Sequence, residues 1–426
     1  MKNLNLKAIV AALVGVSVLL GAGVFYLQQS GTSGAGGSTE AVEEASLDPE
    51  TLITPVNELS AVEACRVPSP PNYESATRSG FPLHPDYVLN GKKAVVQLVY
   101  VDAEDVVGSK PPAEDFPYWE DNAGGFIRDM SNGTVELEWR FENEYLRLPK
   151  PLSDFNITRS GGGDVYGFYQ LALDLADPTV DFSDVDIVLV LFPPSVDAIQ
   201  VDFSPSFAET RSKGFKTDEG SIFRGAILGA DARYENGYLL AVHEMGHMFG
   251  LEDYYSFEWT EEGTTFEDQF RFTGQFDNLG YAYGKSPEWF GWSRWIIDFI
   301  GDSQVRCVTD QEVTTHFLRA VSSGSADPMI VVIPTGKFTA VVVESRRSTR
   351  HDQRAPERTY GLLVYEVNTK NVNGYGPVRV VRKENSVDKL AEDAPLQPGQ
   401  SVTLGDIVIT NVESGLDWDV AEVRRN

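Results

Sequence analysis

Residues 236–254 read Asn-Gly-Tyr-Leu-Leu-Ala-Val-His-Glu-Met-Gly-His-Met-Phe-Gly-Leu-Glu-Asp-Tyr, and this stretch restricts the fold more tightly than any other. Imidazoles four residues apart lie on one face of an α-helix, so His243 and His247 can bind a single Zn²⁺ only if the segment is helical there. Glu244 then stands between two ligands, within reach of a water on the metal. The apolar run Tyr238–Val242 is helix-compatible, with Asn236 as the expected N-cap. Gly250 can take the left-handed conformation that ends the helix and reverses the chain. That reversal delivers Asp253 to the metal as third ligand, with Glu252 as its rival. Two His and one carboxylate leave a tetrahedral position open, the mark of a catalytic site. A bare H-E-x-x-H also arises by chance. Here the chain has only five His, two of them fall in the motif, and a glycine and an aspartate stand where a third ligand needs them.

The stretch His243–Tyr254 resembles the immune-inhibitor-A-type secreted zinc metallopeptidases, a metzincin-like family, and the resemblance covers about residues 90–380. Phe126–Gly133 resembles the family's helix-Ser-Tyr-Gly segment, with Asn132 at the aromatic position, and Ala94–Asp102 is similar to its first core strand. Downstream, Ser286–Trp295 resembles the Pro- and Trp-rich helix after the active site, while Val342–Arg347 and Gly361–Tyr365 resemble later strands. The resemblance implies a zinc endopeptidase in which His243, His247 and Asp253 bind one Zn²⁺ and Glu244 is the general base.

One departure from the family stands out. Metzincins carry a methionine-bearing turn beneath the zinc, and Leu279 holds that place in Phe276–Tyr281. Leu for Met is nearly volume-conserving, so the hydrophobic floor survives. Tyr281 matches a position where several metzincins place a tyrosine near the metal, where its phenol steadies an oxyanion; the plainer alternative is a packed tyrosine beside Tyr283. Two other functions stay open: a catalytically degenerate surface or binding protein, and a zinc hydrolase acting on a non-peptide substrate.

A net charge of −28 repels polyphosphate and argues against nucleic-acid partners. The expected partners are protein or peptide substrates, and a monomer is expected. Some of the many carboxylates are candidates for structural Ca²⁺, although no EF-hand spacing is present.

The N-terminus points out of the cytoplasm. Lys2 and Lys7 precede an uncharged run of 20 residues, Ala8–Leu27, which as a helix spans about 30 Å, the thickness of a bilayer core. Basic residues before it predict a cytoplasmic start and an exported remainder. The run is a signal peptide or an uncleaved membrane anchor; the bulky Val24–Leu27 end and the lack of an A-x-A site favour the anchor. Gln28–Ser38 is a Gly/Ser-rich tether. Two cysteines, Cys65 and Cys307, fit an oxidising compartment and a disulfide. Alternatively, Ala64–Pro68 resembles the segment whose thiolate blocks zinc in some latent metallopeptidases.

The expected fold class is α+β: a metzincin-like domain with a mixed twisted sheet and an active-site helix, then a β-rich, sandwich-like C-terminal region. The boundaries are 1–27 for the signal or anchor, 28–60 for the tether, 61–300 for the peptidase domain with its N-terminal extension, and 301–426 for the β-rich region. Strands are expected at Ala94–Val101, Val135–Phe141 and Ile187–Phe192, and helices at Asp115–Met130 and Asp164–Ala176. Ile222–Gly229 is expected as the edge strand beside the cleft, where an extended peptide adds. After about Gly301, short β runs follow at Met329–Ile333, Ala340–Glu344, Leu362–Val367, Val378–Val381 and Asp406–Asn411.

Overall fold

The computed structural model describes residues 53–71, 77–89, 92–117, 119–157, 163–194, 206–208, 214–228, 236–258 and 264–426. The Ala8–Leu27 run and the Gln28–Ser38 tether lie outside them. Among the described residues, no helix is long and apolar enough to cross a membrane.

The first half builds one sheet. Its strands are β1 (Lys93–Asp102), β2 (Glu136–Phe141), β3 (Leu146–Arg147), β4 (Ile187–Leu191), β5 (Ser206–Ala208) and β8 (Arg224–Leu228); β6 (Phe215–Lys216) and β7 (Ser221–Ile222) form a separate small ribbon. The order is β2-β1-β4-β8-β5, with β3 also on β1. Pairing is parallel throughout except between β5 and β8. Strand β1 is buried on both faces, as expected of a central parallel strand covered on each side. Alternation divides its side chains: Val99 and Val101 pack with α3 (Val165–Ala176), while Ala94, Val96 and Leu98 face the larger core. Asp164 caps α3 through its carboxylate, which accepts from Gly167 N at 2.9 Å.

Two expectations need correction here. The single helix expected over Asp115–Met130 is broken into α1 (Pro112–Asp115), a π-turn at Trp119–Gly124 and α2 (Gly125–Met130). Pro117 supplies no N–H and keeps Phe116 out of the helical region (φ −135°, ψ 70°), which stops a continuous helix. The strand expected at the cleft edge, observed as β8, is internal to the sheet. It is flanked by β4, and by β5 running antiparallel along its outer side, so among the described residues the edge belongs to β5.

The second half is β-rich. One sheet has the order β14-β13-β12-β11-β9, from β9 (Val305–Cys307), β11 (Ile330–Gly336), β12 (Thr339–Arg346), β13 (Gly361–Asn368) and β14 (Val378–Val380). The other has the order β10-β17-β16-β15, from β10 (Val313–Arg319), β15 (Ser401–Leu404), β16 (Ile407–Ser414) and β17 (Trp418–Arg425). Val331, Ile333, Val341 and Val343 of the first sheet meet Leu318, Ile409, Ala421 and Val423 of the second in one apolar layer. The opposite face of the five-stranded sheet, through Val332, Val342 and Tyr365, joins the core that also contains α4 (Tyr238–Met248). The two halves therefore share an interior, and the chain is mixed α+β with a parallel sheet and several further sheets.

Cys65 and Cys307 form a disulfide with Cα atoms 5.7 Å apart. Cys65 is fully buried and there are no free cysteines. This removes the alternative in which a Cys65 thiolate blocks the metal.

Candidate metal centre

Helix α4 is apolar on nearly every side, and residues Leu239 to Met248 are all buried. A helix buried all round needs no amphipathic stripe. It begins at Tyr238 with Gly237 in the cap position, one residue later than the expected Asn236 cap; Asn236 serves instead through its carbonyl, which accepts from Leu239 N at 2.9 Å. Gly246 explains how the helix lies so close to its floor. A Cβ there meets Leu279 Cδ2 at 2.6 Å and Trp289 at 3.1 Å. Leu279, at the methionine place of the resemblance, is fully buried against this glycine.

The helix ends as the sequence requires. Gly250 has φ +95°, and Leu251 N closes back on Gly246 O at 3.0 Å. The reversal brings Asp253 Oδ1 to 3.1 Å from both His243 Nε2 and His247 Nε2. His243, Glu244 and His247 also offer ligand atoms within 4.8 Å of one another, and this buried group can hold a metal ion.

Both imidazoles are oriented from behind. His243 Nδ1 lies 2.8 Å from Asn278 O, and His247 Nδ1 lies 2.9 Å from Leu251 O. A carbonyl accepts only, so each Nδ1 donates its proton backwards and each Nε2 is the atom turned to the shared site. Asn278 is itself fixed, donating through Nδ2 to Leu239 O at 2.8 Å and Ala282 O at 3.0 Å. Asp277 holds the turn with φ +67°, accepting from Leu279 N at 2.8 Å and Phe290 N at 2.7 Å. Burial outweighs those two bonds and pushes the Asp277 carboxyl up to about 7.

Asp253 is secured by residues far away in sequence. Its backbone N–H donates to Asn373 Oδ1 at 2.5 Å, and its carbonyl accepts from Gly374 N at 3.3 Å. Burial acts to raise the Asp253 carboxyl, but the two imidazoles more than offset it and hold it far below the ordinary range. Burial likewise acts to lower both imidazoles. The Asp253 and Glu244 carboxylates win, and His247 rises to about 9. Two bases and an acid drawn together in this way make a site whose charge a cation can share.

The other candidates lie close by. Glu252 is fully buried, and its charge acts to raise the Tyr254 phenol. Tyr281 stacks on Phe270 with ring centroids 3.9 Å apart. The tyrosine ring against His243 is that of Tyr255, at 6.1 Å and 29°. Tyr255 and Asn373 were not singled out from sequence. Tyr255 stands two residues past Asp253 and was within the motif's reach, whereas nothing in the sequence marks Asn373, 120 residues away.

No family model matches the chain, and no curated protein matches it.

Proposed function

We propose that the chain is a zinc-dependent endopeptidase of the immune-inhibitor-A, metzincin-like kind, with His243, His247 and Asp253 as ligands and Glu244 as general base, acting outside the cytoplasm. The observation that carries this reading is the convergence of two imidazole Nε2 atoms on one carboxylate oxygen at 3.1 Å, with both Nδ1 atoms already committed to carbonyls. Asp253 Oδ1 is buried and has no hydrogen-bond partner once Nε2 carries no proton. Such an oxygen needs a cation. Ligand atoms around a tetrahedral zinc lie about 3.3 Å apart, so the spacing suits the ion.

When bound there, Zn²⁺ supplies Lewis acidity that polarises a substrate carbonyl and makes water a nucleophile near neutral pH. The chain's own groups do the rest. Glu244, 5% exposed, accepts the proton of the attacking water and passes it to the leaving amine. The surrounding apolar residues keep bulk water from competing, which strengthens every charge interaction inside. Among the described residues, strand β5 is the sheet edge, and it runs against α4. An extended peptide adds to such an edge through main-chain hydrogen bonds, which lay its scissile bond across the site. The Cys65–Cys307 bridge agrees with an oxidising, extracytoplasmic location.

Glu244→Gln keeps the side-chain size and removes the base. Zinc content and thermal midpoint are expected to match the wild type, while casein or peptide hydrolysis falls by at least about a hundredfold. Undiminished hydrolysis by the Gln variant at equal zinc occupancy overturns the reading.

A further inference from the structure

We propose that Tyr255, Phe257 and Tyr375 form a subsite for an aromatic or large aliphatic side chain of a peptide lying across the His243–His247 site. This rests on the endopeptidase reading and names the substrate class that reading leaves open.

The three rings make a continuous row leading away from a metal ligand. Tyr255 lies 6.1 Å from His243, Phe257 lies 5.4 Å from Tyr255 at 56°, and Tyr375 lies 6.4 Å from Phe257 at 69°. The row begins at a buried imidazole and ends in solvent. Phe257 is 41% exposed and Tyr375 47%. Single exposed aromatics are ordinary surface. A row of three, starting at the ring of a ligand, is an apolar path with its wet end uncovered.

The row is held in place rather than loosely attached. Phe257 N donates to Gly374 O at 3.1 Å, and Ser256 N donates to Gln269 O at 2.7 Å. Gly374 has φ +75°, and a Cβ built there falls 2.2 Å from the Phe257 ring, so the absence of a side chain lets the loop press against that ring. The same glycine ties back to Asp253, which fixes the aromatic row relative to the ligand set. Rings held this way lose little freedom when a partner ring enters, so contact energy goes into affinity. Edge-to-face and offset geometries suit aromatic partners best, and aliphatic side chains gain by area alone.

The test uses full-length Glu244→Gln protein loaded with zinc, titrated calorimetrically with blocked hexapeptides that differ only by Phe or Gly at one position. The position is scanned along the peptide. At one position the Phe peptide is expected to bind at least about tenfold more tightly than the Gly peptide. Phe257→Ser and Tyr375→Ser, in that background, are each expected to lower this ratio by about three- to tenfold at unchanged zinc content. A ratio that neither substitution moves overturns the subsite. If wild-type protein cleaves casein while the ratio stays put, only the subsite falls. If the ratio falls as expected while wild-type protein cleaves no peptide, the endopeptidase reading falls and the aromatic-binding site stands.

Discussion

At the scale of single residues, two neighbouring carboxylates follow the reversal, and they differ in where they stand. Asp253 and Glu252 are adjacent and both buried, yet only Asp253 has an oxygen 3.1 Å from both imidazoles. Asp253→Ala is therefore expected to weaken zinc binding by about a hundredfold or more, more than a supporting second-layer group commands. Glu252→Ala is expected to keep affinity within a few-fold, whatever it does to folding. Titration against a competing chelator measures both, and the reverse ranking reassigns the ligand to Glu252. Most of this was legible in the sequence, since helical spacing and one glycine place His243, Glu244, His247 and Asp253 without tertiary information. The carbonyls of Asn278 and Leu251 behind the rings were not, because a backbone acceptor has no sequence signature. Tyr281 shows the same limit from the other side. Its place after the turn was readable, but its stacking on Phe270 depends on a neighbour that only folding supplies.

Among the elements, strands read more clearly than their order. The apolar runs at β1, β4 and β12 carry their own signal, being buried along nearly their whole lengths. The position of β8 inside its sheet depends on β5, a three-residue strand too short to announce itself. Strand β10 supports a pH prediction. His316 is fully buried, with Nε2 2.8 Å from the Thr314 hydroxyl. Burial, aided by Arg306, pushes its imidazole down from 6.5 to about 3. Folded protein thus refuses a proton that the unfolded chain accepts. Stability is complete above the unfolded value near 6.5 and is lost as pH falls towards 3. Over that window the slope approaches about 1.4 kcal/mol per pH unit. Urea midpoints at pH 7 and pH 5 are expected to differ less in His316→Gln than in wild type. An equal drop in both proteins would assign the acid sensitivity to other groups.

For the whole molecule, the C-terminal sheets complete the interior instead of standing beside it. The face of the five-stranded sheet that carries Val342 and Tyr365 belongs to the core of α4, and Tyr365 OH donates to Glu344 in a buried network with Arg346 and Asp352. The texture change near Gly301 marked a shift in secondary structure, not a seam. The Cys65–Cys307 bridge crosses it, joining residues 242 apart. Replacing both with serine is expected to lower stability by about 5 kcal/mol through the freedom returned to the unfolded chain. Denaturant titration checks this, and a loss below about 1 kcal/mol would mean that the unfolded chain is compact without the link. The clamp of Asn373 and Gly374 on Asp253 also bears on the order of manufacture. A ribosome delivers His243 and Glu244 some 130 residues before the segment that fastens their third partner. Under the endopeptidase reading, the segment that steadies the third ligand is therefore added only after most of the polypeptide has been made.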